Sequence, residues 1–110
     1  MGRVLILEPD AEVRELIRRV VLRLGHEPLA PERLPVRRLG TLDAVFLEPA
    51  WAPGLELARK LHERDRRLPI VFESLEPRGT VREDPRPLRY LQKPFGLREL
   101  EQAIEAALAS

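Results

Sequence analysis

Four side chains capable of chemistry stand at the ends of four apolar runs. Glu8 follows Arg3-Val-Leu-Ile-Leu7, and Glu48 follows Asp43-Ala-Val-Phe-Leu47. Ser74 stands just past Leu68-Pro-Ile-Val-Phe72, and Lys93 just past Leu88-Arg-Tyr-Leu91. A carboxylate can act as a nucleophile or ligate a hard cation. A hydroxyl and an ammonium can pair with it. The four act together only if the fold brings the run ends to one place. The unbroken apolar stretch from Ala44 to Leu47 suits a strand covered on both faces, as in a parallel sheet. Parallel strands deliver their last residues to the edge where open α/β sheets bind ligands. Glu48 is therefore aimed at a site.

The elements needed to position these groups are legible. Residues 3–7 predict a buried strand that stops at Pro9, which cannot donate to a ladder. Asp10 is placed to cap a helix, with Glu12 in its first turn. Val13, Leu16, Ile17, Val20, Val21 and Leu24 repeat as one helical face, and Gly25 ends it. Pro28, Pro31 and Pro35 exclude a long second helix. One turn over 35–39, closed by Gly40, is the most this stretch supports, beside a short strand over 27–30. Pro49 and Pro53-Gly54 predict a loop, then a helix over 55–64 with Leu57, Ala58 and Leu61 inward. A strand over 68–72 follows. Pro77, Gly79, Pro85 and Pro87 predict a loop with at most one turn over 75–87. A last strand over 88–91 and a helix over 97–108 complete the chain, the helix carrying Leu97, Leu100, Ile104, Ala107 and Leu108 on one stripe. Strands alternating with helices predict an α/β fold with a doubly wound parallel sheet.

Composition narrows the function classes. The 110 residues suit a single domain, and 44% hydrophobic content is enough for a core. A net charge of +1 gives no basic field for nucleic acid or an acidic membrane surface. With no cysteine, thiol catalysis and thiolate metal sites are excluded. No apolar run approaches the ~20 residues that cross a bilayer, and no signal peptide opens the chain, so a cytoplasmic protein is expected. Eleven prolines and 34% charged residues point to a thermophile host.

Several segments, in order and at the right spacing, resemble the receiver domain of two-component response regulators. Arg3 to Leu16 resembles that family's first strand, acidic cluster and first helix, and Leu24-Gly-His-Glu27 the end of the helix. Asp43 to Glu48 stands at the phospho-acceptor strand, and Pro53-Gly-Leu-Glu-Leu57 at the start of the family's third helix. Leu68 to Ser74 corresponds to the segment with the switch hydroxyl. Tyr90-Leu-Gln-Lys-Pro-Phe95 corresponds to the segment holding the switch aromatic and the lysine. The resemblance implies a flavodoxin-like five-stranded parallel sheet of order 2-1-3-4-5, here with the second and fourth helices short or missing. A single receiver-like domain over 1–110 is expected, with no output domain, since only two or three residues follow the last predicted helix. The resemblance further implies that Ser74, Tyr90 and Lys93 are switch or phosphate-contact positions, and that Lys93-Pro94 is cis as it often is in receivers.

The chain departs from the pattern at the chemistry. Glu48 replaces the aspartate that accepts phosphate from a histidine kinase. Its extra methylene moves the oxygen by roughly 1 Å, a misplacement that can cost about 10²-fold in rate. The acid pair that holds Mg2+ becomes Glu8-Pro9, so Glu8 and Glu48 form at most a weak or vestigial metal site. The loop after Glu48 is about two residues shorter than the family's usual one. The plainest reading pairs Glu48 with Lys93; next comes imitation of a phosphorylated state, then true acceptance. Glu8 reads first as a solvated or salt-bridged residue, Ser74 as a turn hydroxyl, and His62 as solvent-facing. Trp51 reads as a partner surface or a lid on the core.

The expected function is a degenerate, stand-alone receiver that signals by protein contact without phosphorylation, with no enzymatic activity and no cofactor. Its partner would be a protein such as a histidine kinase or regulator, with a homodimer through the last strand and last helix. One alternative is a phosphorylatable single-domain regulator in a phosphorelay, using a neighbouring acid such as Asp10. Another is a small flavodoxin-like enzyme or ligand binder, although the acidic loop Glu8 to Glu12 repels phosphate. Direct nucleic-acid binding lacks a basic stripe.

Overall fold

The structure is a computed structural model describing residues 1–34 and 38–110. Its elements are β1 (Arg3–Leu7), α1 (Ala11–Arg23), β2 (Glu27–Leu29), β3 (Ala44–Leu47), α2 (Ala52–Arg64), β4 (Ile70–Ser74), β5 (Arg89–Gln92) and α3 (Leu97–Ala109). The five strands form one parallel sheet in the order β2-β1-β3-β4-β5. That is the expected doubly wound, flavodoxin-like architecture. Among the described residues the family's second and fourth helices are missing.

Strand alternation divides the core into two layers. Val4, Ile6, Ala44, Phe46 and Val71 face α1 and α3. Their neighbours Leu5, Leu7, Val45, Leu47 and Phe72 face the other way, with Ala58 of α2. Burial on both faces is why these strands are runs of branched residues rather than alternating ones.

Local chemistry sets the element ends. Asp10 caps α1, its side chain accepting from the Glu12 and Val13 backbone N–H groups at 2.9 and 3.2 Å. At the other end Gly25 N–H donates to Leu22 and His26 N–H to Val21, with Gly25 at φ +86. This paired closure needs a residue in the left-handed region, and glycine occupies it without a Cβ penalty. Asp43 starts β3 by bracketing Arg3: its N–H donates to the Arg3 carbonyl, and its carboxylate accepts the Arg3 N–H at 2.7 Å.

Several boundaries differ from the sequence expectation. Helix α2 begins at Ala52, so Pro53-Gly54 lies in its first turn rather than in a loop. Proline fits there because the first helical N–H groups have no partner within the helix. Gly54 is buried beneath the Trp51 ring, where a side chain would collide with it. Strand β4 runs over 70–74, not 68–72, so Glu73 and Ser74 are strand residues. Leu16 and Leu97 belong to apolar stripes yet are 41% and 46% exposed. His62 is half-buried rather than solvent-facing. The turn expected from Pro35 falls largely on residues 35–37, outside the described residues; Leu39 and Gly40 are not helical. Residues 75–87 hold one turn, closed by Thr80 N–H to the Pro77 carbonyl.

Candidate functional site

The C-terminal ends of β1, β3, β4 and β5 converge on one cluster. Alternation selects its members. Leu7 and Leu47 face α2, so Glu8 and Glu48 turn toward the α1/α3 side. Val71 and Leu91 face that side, and so do Glu73 and Lys93 two residues on. Two backbone bonds lock the register at the edge. Glu48 N–H donates to the Leu7 carbonyl, and Lys93 N–H to the Ser74 carbonyl. The Lys93–Pro94 peptide is cis, as the resemblance implied.

Lys93 Nζ lies among three carboxyl groups. It donates to Glu8, reaches Glu48 Oε2 at 2.9 Å and stands 3.9 Å from Glu73. The acids are almost wholly buried, at 1% exposure for Glu8, 7% for Glu48 and 0% for Glu73. The first two are fully provided with donors. Glu8 Oε2 accepts the Asp10 N–H at 2.8 Å. Glu48 Oε1 accepts the Ala50 N–H and the Ser74 hydroxyl, each at 3.0 Å. Glu73 has no donor on either oxygen.

The electrostatics follow from this arrangement. Burial, reinforced by the adjacent Glu8, pushes the Glu73 carboxyl well above the usual carboxylate range, with Lys93 opposing. Burial by itself would lower the Lys93 pKa, but its hydrogen bonds to Glu8 and Glu48 outweigh this and the net shift is upward.

The Glu48–Lys93 pairing expected from the sequence is thus present. Glu8 is salt-bridged, one of the two readings the sequence offered, and buried rather than solvated: the Lys93 ammonium offsets the cost of taking the carboxylate out of water. Ser74 is both a turn hydroxyl, accepting the Glu76 N–H at 3.2 Å, and a Glu48 partner. Tyr90 stands outside the cluster but is linked to it. Its hydroxyl donates to the Glu76 carbonyl at 2.6 Å, and its ring packs against Phe72. Asp10 is committed to capping α1. Trp51 closes over the α2 layer of the core. Glu73 is the member that sequence reasoning missed. The available signal was an acid two residues after Val71, at the period of a buried strand face.

These residues do not suit the Mg2+ that the resemblance implies. Mg2+ requires near-octahedral oxygen ligands. Pro9 offers no carboxylate, and all four oxygens of Glu8 and Glu48 already accept from fixed protein donors.

No protein-family model and no curated protein matches the chain. Solved structures do match, among them response regulators and receiver domains. The response regulator TrrA of Thermotoga maritima, in complex with Mg2+ and BeF, is 22% identical; the match covers 98% of this chain and 100% of that one, with a TM-score of 0.80. A CheY-like receiver domain protein of Methanospirillum hungatei gives a TM-score of 0.83 at 16% identity, over 99% and 94% of the two chains. An orphan response regulator of H. pylori gives 0.78 at 21%, over 97% and 96%. The fold of this chain is the CheY-like receiver fold.

Proposed function

We propose that the chain is a response-regulator receiver of atypical form that signals by protein contact, without phosphorylation, catalysis or a cofactor. One observation carries the reading. The Glu48 carboxylate already accepts from a backbone N–H, the Ser74 hydroxyl and the Lys93 ammonium. These are the kinds of donor that would otherwise receive a transferred phosphoryl oxygen. Glu48 thus acts as a built-in anion in place of a phosphorylated acceptor, and its oxygens are engaged rather than free to attack.

The cluster also has a route to the surface. Glu48 holds Ser74, Ser74 holds the Glu76 N–H, and the Glu76 carbonyl holds Tyr90. A partner protein, a histidine kinase or another regulator, would read the surface set by this chain of bonds. The face of β5 and α3 is the proposed contact for such a partner or for a second copy. Asp10 is a poor alternative acceptor, because its carboxylate serves the α1 backbone.

A phosphotransfer assay with Mg2+ and either a histidine kinase or acetyl phosphate tests the proposal. We expect no stable acyl phosphate. Label that forms on the chain and vanishes in Glu48→Gln would sink the reading. Label that survives in Glu48→Gln and vanishes in Asp10→Ala would move the acceptor to Asp10.

A further inference from the structure

The misfit between this cluster and a bound metal has a physical cause that goes beyond the signalling role. One oxygen from each of Glu8, Glu48 and Glu73 lies within 4.8 Å of the others. Hard divalent cations hold oxygens at about 2.0–2.6 Å, so ligands on opposite sides of one ion are about 4–5 Å apart. The spacing of the three carboxylates therefore suits such an ion. The Lys93 ammonium occupies the space: it bonds Glu8 and Glu48 and faces Glu73 at 3.9 Å. An ammonium and a divalent ion cannot share that position.

A second observation shows that the cluster is larger than its ammonium. Glu73 is 0% exposed, is directed at the same centre, and finds no donor for either oxygen. At 3.9 Å Lys93 is beyond hydrogen-bond reach of it. Two carboxylates match the lysine, and the third is left over. A third oxygen ligand is what a divalent ion would use and an ammonium does not.

We infer that Lys93 is the resident cation of a three-carboxylate cage built from Glu8, Glu48 and Glu73, closed to divalent ions while the ammonium is present and opened to them by its removal. Glu73, on β4, is the ligand that turns a two-acid pair into a cage.

Calorimetric titration of the full chain with MnCl2 tests it. Lys93→Met removes the ammonium and keeps the unbranched stem. We expect this variant to bind Mn2+ about tenfold or more tighter than the parent chain, the scale on which losing a partner moves metal affinity. Adding Glu73→Gln should return the affinity to the parent level. Equal affinity in the parent and Lys93→Met overturns the inference, as does an affinity in Lys93→Met that Glu73→Gln leaves unchanged. A measurement on the unsubstituted protein guards against a variant that fails to fold. The Lys93 ammonium should give a protected lysine signal in 1H–15N spectra that excess Mg2+ does not move. Displacement of that signal by Mg2+ also overturns the inference.

Discussion

Two of the acid–base clusters among the described residues differ in everything except chemistry. On α1, Glu15 pairs with Arg18 at 2.7 Å and Arg19 at 3.0 Å in solvent. At the sheet edge, Lys93 pairs with Glu8 and Glu48 out of solvent. The hydrogen bond from Arg18, first, holds the Glu15 carboxyl at about 2, below the usual carboxylate range. Yet solvent-exposed pairs of this kind add little to stability, because water and salt screen them and two long side chains must be ordered. In the buried cluster each group depends on the others to offset desolvation, so removing one leaves the rest uncompensated. Geometry alone does not separate the two; burial does.

The largest expected effect comes from breaking the buried cluster at Lys93, its cation among the described residues. Lys93→Ala leaves the buried Glu8 and Glu48 facing each other without the ammonium that pairs with both. Breaking a buried pair by removing one partner costs about 3–5 kcal/mol. The rim position of Lys93, with 12% of its side chain exposed, places the expected loss toward the lower end. Urea unfolding at neutral pH measures it, and acid should restore part of the loss by protonating the carboxylates. A loss no greater than that of an exposed pair would erase the distinction between the clusters.

Glu73 sharpens the comparison through pH. Its folded pKa lies above the unfolded value, so the folded chain retains a proton that the unfolded chain releases. The stability it supports is therefore present at low pH and falls as pH rises from the ordinary carboxylate range through the folded pKa. Lys93 is also raised, but its contribution stays complete until pH passes the ordinary lysine value of 10.5. Above the ordinary carboxylate range and below that lysine value the Glu73 effect therefore stands apart. Glu73→Gln, which cannot titrate, should gain on the parent chain across that window, by at most about 1.4 kcal/mol per pH unit. Parallel stability-versus-pH curves for the two proteins would show that Glu73 does not hold the proton.

The same contrast explains what the sequence made legible. The strands, the Asp10 cap, the Gly25 closure and the Glu48–Lys93 pair follow from local patterns: apolar runs, capping chemistry and strand-end polarity; the strand order came only with the resemblance to receivers. Glu73 and the burial of Glu8 follow from neither. The apolar run ends at its first acid, so the local pattern closes β4 at Phe72 and leaves Glu73 outside. Only the neighbouring strand ends, supplied by β1, β3 and β5, make that acid tolerable inside. The Pro53-Gly54 pair misled in the opposite sense: it looks like a turn, and the backbone accommodates it in the first turn of α2. Such outcomes depend on tertiary neighbours that no local window contains.

The smallest expected effect lies on α1. Glu15 has two guanidinium partners, so Arg18→Ala leaves Arg19 within 3.0 Å of Glu15 Oε1. Alanine is also the better helix former, which opposes what little the lost pair contributed. The unfolding midpoint should stay within error of the parent protein at moderate salt. Since Glu15 is charged in both proteins above the ordinary carboxylate range, the midpoint should also show no new pH dependence near neutrality. Added salt should leave the Lys93→Ala loss largely intact, because ions do not penetrate the buried cluster, while removing whatever remains of the Arg18 effect. If Arg18→Ala proved as damaging as Lys93→Ala, its cause would have to be packing of the arginine stem rather than charge, and Arg18→Met would recover it.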